Sequence, residues 1–253
     1  MNVDWEYNSV SVVLASYNQV RTLPLVLESL NRQYCPPIEV IVSDDGSTDE
    51  TIDYLDTIPD DKFNFDLRYV LGKHVGYNLV GVNNRGSAQA KGYRILFTNS
   101  DIIHSPSSVC SHGSLGPEYI GGGFINGISL PMSNEVKLKD VENFGIVEDM
   151  SRRFPPKMTN IDYFRGPAEA GFYGVWGGNY SVPKWMWKAI NGFNEGYKML
   201  YGGEEADFIQ RSRKIAGAKV EWAKDSESFH LEHEPRTYRK LAKGNDKYRK
   251  EYL

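Results

Sequence analysis

Ser11-Val-Val-Leu-Ala15 runs into Ser16-Tyr17-Asn18, and Ile38-Glu-Val-Ile-Val42 runs into Ser43-Asp44-Asp45-Gly46-Ser47-Thr48-Asp49. Both are short apolar runs, rich in β-branched residues, that stop at a polar cluster. That is the pattern of a strand buried on both faces. Between them, from Thr22 to Gln33, Leu23, Val26, Leu27 and Leu30 recur at helical spacing, with Pro24 in the first turn. Ser47 or Thr48 is placed to N-cap a second helix through Leu55. Strand, helix, strand, helix in this order predicts βαβ units and a parallel sheet.

The pattern continues outward. Leu67-Arg-Tyr-Val-Leu71 predicts a third strand, and Asn84-Arg-Gly-Ser-Ala-Gln-Ala-Lys-Gly92 starts a helix of small residues. Arg94-Ile-Leu-Phe-Thr98 predicts a fourth strand, ending at Asn99-Ser100-Asp101. Polar clusters thus fall at the carboxyl ends of three strands, where open α/β sheets bind ligands. From about Ser105 to residue 175 the periodicity weakens, and a partly irregular region that includes acceptor-side loops is expected. Regularity returns with a helix over Val182–Ile190, a second over Glu204–Ala216 and a strand over Lys219–Ala223. The tail from Arg236 predicts a basic helix with Tyr238, Leu241, Tyr248 and Tyr252 on one side.

Composition bounds the function. The 253 residues are 40% hydrophobic and 25% charged, which argues against wholesale disorder. A net charge of −4 argues against a polyanion binder by bulk charge. Cys35 and Cys110 are too few for a disulfide scaffold and form no CxxC, which fits a reducing cytosol. No basic start followed by an apolar run is visible, and no apolar stretch approaches a membrane span. A cytoplasmic location is expected, with any membrane contact peripheral, through the basic tail.

Several side chains have the chemistry for a site, each beside a plainer reading. Asp44 and Asp45 can meet a base, a sugar or a metal, or simply form a turn. Asp101 ends a strand and suits a divalent ion held against a diphosphate. Glu204 and Glu205 follow Gly202-Gly203 and open a helix, where acids also serve the helix dipole. His230 and His233 lie in Phe229-His-Leu-Glu-His-Glu-Pro235 and can ligate a transition metal, although the spacing is not HExxH. Tyr17 and Trp176 adjoin polar loops and are candidates for stacking.

These segments together resemble a family 2 glycosyltransferase of GT-A fold. The likeness rests on Val12–Gln19, Val40–Asp49 and Asn84–Gly92 running on to Phe97–Asp101. Gly177-Gly-Asn, Asn191-Gly-Phe-Asn-Glu195, Gly202-Gly-Glu-Glu-Ala-Asp207 and Arg211 are similar to the C-terminal part of galactosyltransferase-like members.

The resemblance implies an α/β, Rossmann-like GT-A fold: a mostly parallel central sheet flanked by helices, with a C-terminal acceptor-side region. Residues 1–104 would be the nucleotide-sugar-binding half, 105–235 the acceptor-binding and catalytic half, and 236–253 a basic C-terminal helix. Ala15, Tyr17, Asp44, Asp45, Arg85, Gly86 and Asn99 would meet the donor. Asn99-Ser-Asp101 stands in the place of the family's DxD, with Asn99 for its first acid. Asp101 with His230, or His233, would hold Mn²⁺ or Mg²⁺. Trp176, Gly178, Asn179 and Glu204 would meet the acceptor, and Glu205 would be the catalytic base.

The implied activity is metal-dependent transfer of a single sugar, with inversion, from a nucleotide-sugar, a UDP-sugar first, to an acceptor hydroxyl. The acceptor could be a glycan, a lipid-linked molecule, a protein or a modified nucleic acid. The alternatives are a sugar-nucleotidyltransferase and a non-catalytic module that binds nucleotide or carbohydrate.

Overall fold

A computed structural model of the chain describes residues 9–128, 130–153, 177–197 and 202–233. One eight-stranded sheet organises them, in the order β3-β2-β1-β4-β7-β6-β8-β5. The first four strands are β1 (Val10–Ser16), β2 (Glu39–Asp44), β3 (Asp66–Leu71) and β4 (Arg94–Asn99). All three pairings among them are parallel. Helices α1 (Leu23–Asn31), α2 (Thr51–Asp56) and α3 (Leu79–Gln89) make the crossovers. Val12, Leu14, Val40, Val42 and Leu96 pack with Leu23, Val26, Leu27 and Leu30 of α1. Val13, Ile41, Ile95 and Phe97 belong to a second core cluster with Val80 of α3. Alternate residues of one strand therefore feed two cores, which is why these runs are apolar throughout.

The second half of the sheet is mixed. It holds β5 (Ile102–His104), β6 (Tyr119–Ile128), β7 (Tyr180–Pro183) and β8 (Lys219–Leu231). β6 pairs with β8 in parallel, whereas β4–β7, β6–β7 and β5–β8 are antiparallel. The expectation of a mostly parallel sheet describes the first half; the antiparallel strands return the chain beside β4 and carry it past the sheet's carboxyl edge. Helices α4 (Ser108–Gly113), α5 (Leu130–Ser133), α6 (Leu138–Glu142), α7 (Phe144–Arg153), α8 (Lys184–Ala189) and α9 (Glu204–Ala216) complete the described elements.

Several sequence expectations are corrected here. Residues 105–153 hold more regular structure than the partly irregular region expected; Gly121-Gly-Gly123 disguises β6 by supplying no side-chain pattern. Val182 lies in β7, so the expected Val182–Ile190 helix begins only at Lys184. β8 runs eight residues beyond Ala223, to Leu231, and so includes His230. α3 begins at Leu79, not Asn84, with the Asn78 side chain accepting from the Gly81 N–H. Neither Ser47 nor Thr48 caps α2, whose N-cap position is Glu50. Cys35 and Cys110 are bonded as a disulfide between the segment after α1 and helix α4. The reading of two cysteines suited to a reducing cytosol did not anticipate that pairing. The expected basic helix over 236–253 and Trp176 lie outside the described residues.

Candidate active site

The parallel strands deliver their polar ends to one edge. Asp44 is fully buried, and its carboxylate is consumed by its own turn. Oδ1 accepts from the Gly46 N–H at 2.9 Å and the Ser47 N–H at 2.7 Å, while Oδ2 accepts from Ser47 Oγ at 2.6 Å. This is the local side-chain-to-backbone closure that Asp supplies in turns. Asp44 therefore shapes this strand edge rather than offering it a free carboxylate.

Asp45, also buried, turns its carboxylate to a different partner from Asp44. Its Oδ2 lies 2.9 Å from His74 Nδ1, and Oδ1 is buried without a hydrogen-bond partner. Burial raises the Asp45 pKa, opposed by the His74 hydrogen bond and charge and by the Arg85 charge. The His74 ring stacks on Tyr17 with centroids 4.0 Å apart and planes 9° from parallel. His74 was absent from the sequence reading, because only the tertiary fold brings the loop after β3 onto the turn after β2. Arg85 reaches this edge through Nη2, which donates to the Asp44 carbonyl at 2.8 Å. Gly86 does a different job: a Cβ there would lie 2.5 Å from Val13 Cγ1, so it lets α3 approach β1. Ala15 and Asn99 are register partners at the ends of β1 and β4.

Asp101 just past β4, His230 near the end of β8 and His233 just past it converge. Asp101 Oδ2 lies 3.8 Å from His230 Nε2 and 3.5 Å from His233 Nε2. The three potential ligand atoms lie within 4.8 Å of one another, a spread that one cation could bridge. One carboxylate and two imidazoles fit Mn²⁺ better than Mg²⁺, which prefers an all-oxygen set. Burial works against the charged form of His230, but Asp101 and Glu232 outweigh it and raise its pKa.

The opposing wall starts at α9. Gly202 and Gly203, at φ +83° and +100°, turn the chain into the helix. Glu204 is buried, and its Oε1 accepts from the Tyr77 hydroxyl at 3.1 Å. That contact ties the expected acceptor ligand to the interior. Glu205 takes a hydrogen bond from the Gly177 backbone. Its pKa is raised to about 8, first by burial and then by the neighbouring Glu204 charge. Burial likewise raises Glu204. The Tyr180 hydroxyl is buried nearby, and its pKa is raised by burial and by both glutamates. Asp207 holds Arg211 at 2.8 Å, and Arg211 in turn donates to the carbonyls of Ile190 and Gly192. Asn84 clasps the Phe193 backbone from α3. These bonds fix α9 against the Asn191-Gly192 turn.

Gly178, at φ +112°, packs over the sheet edge: a Cβ there would meet Ile102 at 3.2 Å and Asn99 Nδ2 at 3.4 Å. Asn179 is 1% exposed, and its amide bonds only to protein groups. It supports the site from below and does not line it, contrary to the acceptor-binding role expected of it.

The family comparisons agree with this layout. Residues 11–112 match glycosyl transferase family 2, and residues 160–234 match a family described as the N-terminal domain of galactosyltransferase. Validoxylamine A glucosyltransferase of Streptomyces hygroscopicus subsp. limoneus is 26% identical over 218 residues, covering 80% of this chain and 47% of the relative. The chain thus spans about half the length of this curated relative. Among solved structures, S. aureus TarS 1-349 in complex with UDP-GlcNAc superposes with a TM-score of 0.57 at 20% identity, covering 91% of this chain and 60% of that one. The mannosyltransferase PcManGT from Pyrobaculum calidifontis, in complex with GDP-Man and Mn²⁺, gives 0.57 at 15% identity, with 90% and 58% covered. With its strand-end polar edge and galactosyltransferase-like C-terminal part, the chain has the fold of GT-A glycosyltransferases and is similar to glycosyl transferase family 2 over residues 11–112.

Proposed function

We propose that this protein transfers one sugar from a nucleotide-sugar, with a UDP-sugar as first choice, to an acceptor hydroxyl, with inversion at the anomeric carbon. The observation that carries the reading is the Asp101–His230–His233 cluster at the same sheet edge as Asp45, Tyr17 and Arg85. The TarS relative was crystallised with UDP-GlcNAc and PcManGT with GDP-Man and Mn²⁺, so both a UDP and a GDP donor are open to test.

Tyr17, Asp45 and Arg85 would bind and orient the nucleoside end of the donor. Asp101, His230 and His233 would hold Mn²⁺, which when bound neutralises the departing diphosphate. Glu205 takes the proton of the acceptor hydroxyl as its oxygen attacks the anomeric carbon from the face opposite the diphosphate. The C–O bond to the acceptor forms as the bond to the diphosphate breaks, and the configuration inverts. Glu204 and the Tyr77 hydroxyl hold the start of α9 in place.

Calorimetric titration with UDP, GDP and CDP, with and without Mn²⁺, tests the reading. Metal-dependent binding of one of them is expected, and no binding of any would overturn it. A cytoplasmic setting is the expectation from sequence, and the disulfide is the observation set against it; no described helix is long and apolar enough to cross a membrane. The Cys35–Cys110 disulfide argues against a reducing compartment. Counting free thiols in protein trapped at lysis decides between the two.

A further inference from the structure

Beneath the proposed active site runs a buried polar chain that the mechanism above does not use. Arg94 Nη1 donates to Ser181 Oγ at 3.3 Å. Ser181 Oγ lies 2.9 Å from His112 Nδ1, and His112 Nε2 lies 2.9 Å from Asn179 Oδ1. The Asn179 amide then donates to Ser228 Oγ at 3.0 Å and to the carbonyls of Phe124 and Ser226.

Only one direction pairs Ser181, His112 and Asn179 together. Asn179 Oδ1 can only accept, so His112 carries its proton on Nε2. Nδ1 must then accept from the Ser181 hydroxyl. The chain links β4, β7, α4, β6 and β8, and Arg94, His112, Asn179, Ser181 and Ser228 are each no more than 1% exposed. An apolar pair of similar size would fill the same space without desolvating five polar side chains. Directional hydrogen bonds among Ser181, His112 and Asn179 fix one geometry where an apolar contact permits several.

What it fixes is the turn before β7. The Asn179 carbonyl accepts from the Gly123 N–H at 2.9 Å. A Cβ on Gly123 would lie 2.2 Å from Asn179 Nδ2, so the amide sits directly on that backbone. Two residues upstream, Gly177 lies against Glu205: a Cβ there would be 2.6 Å from Glu205 Oε1.

We propose that His112 and Asn179 are positioning residues that hold the Gly177 N–H on the Glu205 carboxylate and so set the pH at which Glu205 can act as base. The proposal rests on the reading of Glu205 as that base. Among the described residues, the ionisable groups facing Glu205 are Glu204 on its own helix and the Tyr180 hydroxyl from β7, with Tyr77 acting through Glu204. Those facing His112 are Arg94 and His104. A hydrogen bond to the charged carboxylate lowers its pKa, so loosening the turn raises it.

The experiment is a carboxyl ¹³C NMR titration of the full chain labelled with [¹³C]glutamate, with Glu205→Gln supplying the assignment. His112→Leu is expected to move the Glu205 midpoint up by about one pH unit. His112→Gln, whose amide can still donate to Asn179 and accept from Ser181, is expected to leave it in place. If His112→Leu does not fold, Ser181→Ala gives a graded version, moving the midpoint by a few tenths. A folded Leu or Ala variant with the wild-type midpoint overturns the proposal. Turnover retained in Glu205→Gln would instead remove the base assignment and leave the measured midpoint shift standing.

Discussion

The two halves of the sheet keep their polar groups in opposite ways. In the parallel half, Asp44 is buried but immediately satisfied by the backbone and hydroxyl of its own four-residue turn. In the mixed half, His112, Asn179 and Glu204 lie in the interior, with Glu205 half-buried beside them, on partners far away in sequence. A local turn forms from short-range preference alone, whereas a long-range polar network must wait for the tertiary fold. The Asp44 turn is thus built from near neighbours, whereas the wall that carries Glu205 is built by assembly.

Breaking the catalytic wall should give the largest effect. Glu205→Gln is expected to lower transfer by about 10³-fold while leaving nucleotide binding unchanged, within the usual range for a general base. Turnover of the unaltered protein should rise with pH through about 8, because Glu205 must lose its proton to act. A flat pH–rate profile would place the base elsewhere.

Asp101→Ala is the matching cut at the junction of the halves. It should weaken Mn²⁺-dependent UDP binding by about 100-fold, or roughly 2.7 kcal/mol. Metal-free binding should change little, as calorimetry would read directly.

The third test separates the halves by acid. Burial holds His104 and His112 at pKa values of about 3, far below the free imidazole. Both stay neutral in the fold while the unfolded chain takes up protons below about 6.5. Their depressed values therefore cost nothing above that pH, and stability falls as pH drops from about 6.5 toward 3. Going from pH 7 to 5 should cost ~2 kcal/mol per histidine. Urea unfolding at the two pH values measures it, and His112→Gln should remove that residue's share.

Reduction of Cys35–Cys110 should cost about 2–4 kcal/mol, because the bond closes a long loop of the unfolded chain. Thermal melts with and without reductant would show it. The smallest effect is expected in the parallel half: Ser47→Ala removes one hydroxyl from the Asp44 turn and should cost about 1 kcal/mol of unfolding free energy.

Legibility follows the same division. β1 through β4 stand where their apolar runs place them, and the Glu204–Ala216 helix has the bounds read from sequence. Capping was misread at Ser47 because its hydroxyl found Asp44 before it found the helix. β6 was missed because glycines carry no alternation. His74 gave no signal at all, since nothing near it in sequence shares its chemistry. His112 was likewise silent: a lone histidine on a short helix shows its purpose only once Asn179 and Ser181 stand beside it.

The sequence by itself determined the βαβ start, the polar strand ends, and the residue types able to hold a cation and move a proton. Periodicity and turn chemistry act over a few residues, and such signals survive in the linear chain. Only the tertiary structure decided that Asp101 meets both His230 and His233, that Asp45 pairs with His74, and that Asn179 supports the site instead of lining it. Those outcomes depend on strand order and on burial, which no local stretch of sequence encodes, and burial is also what raises the Glu205 pKa.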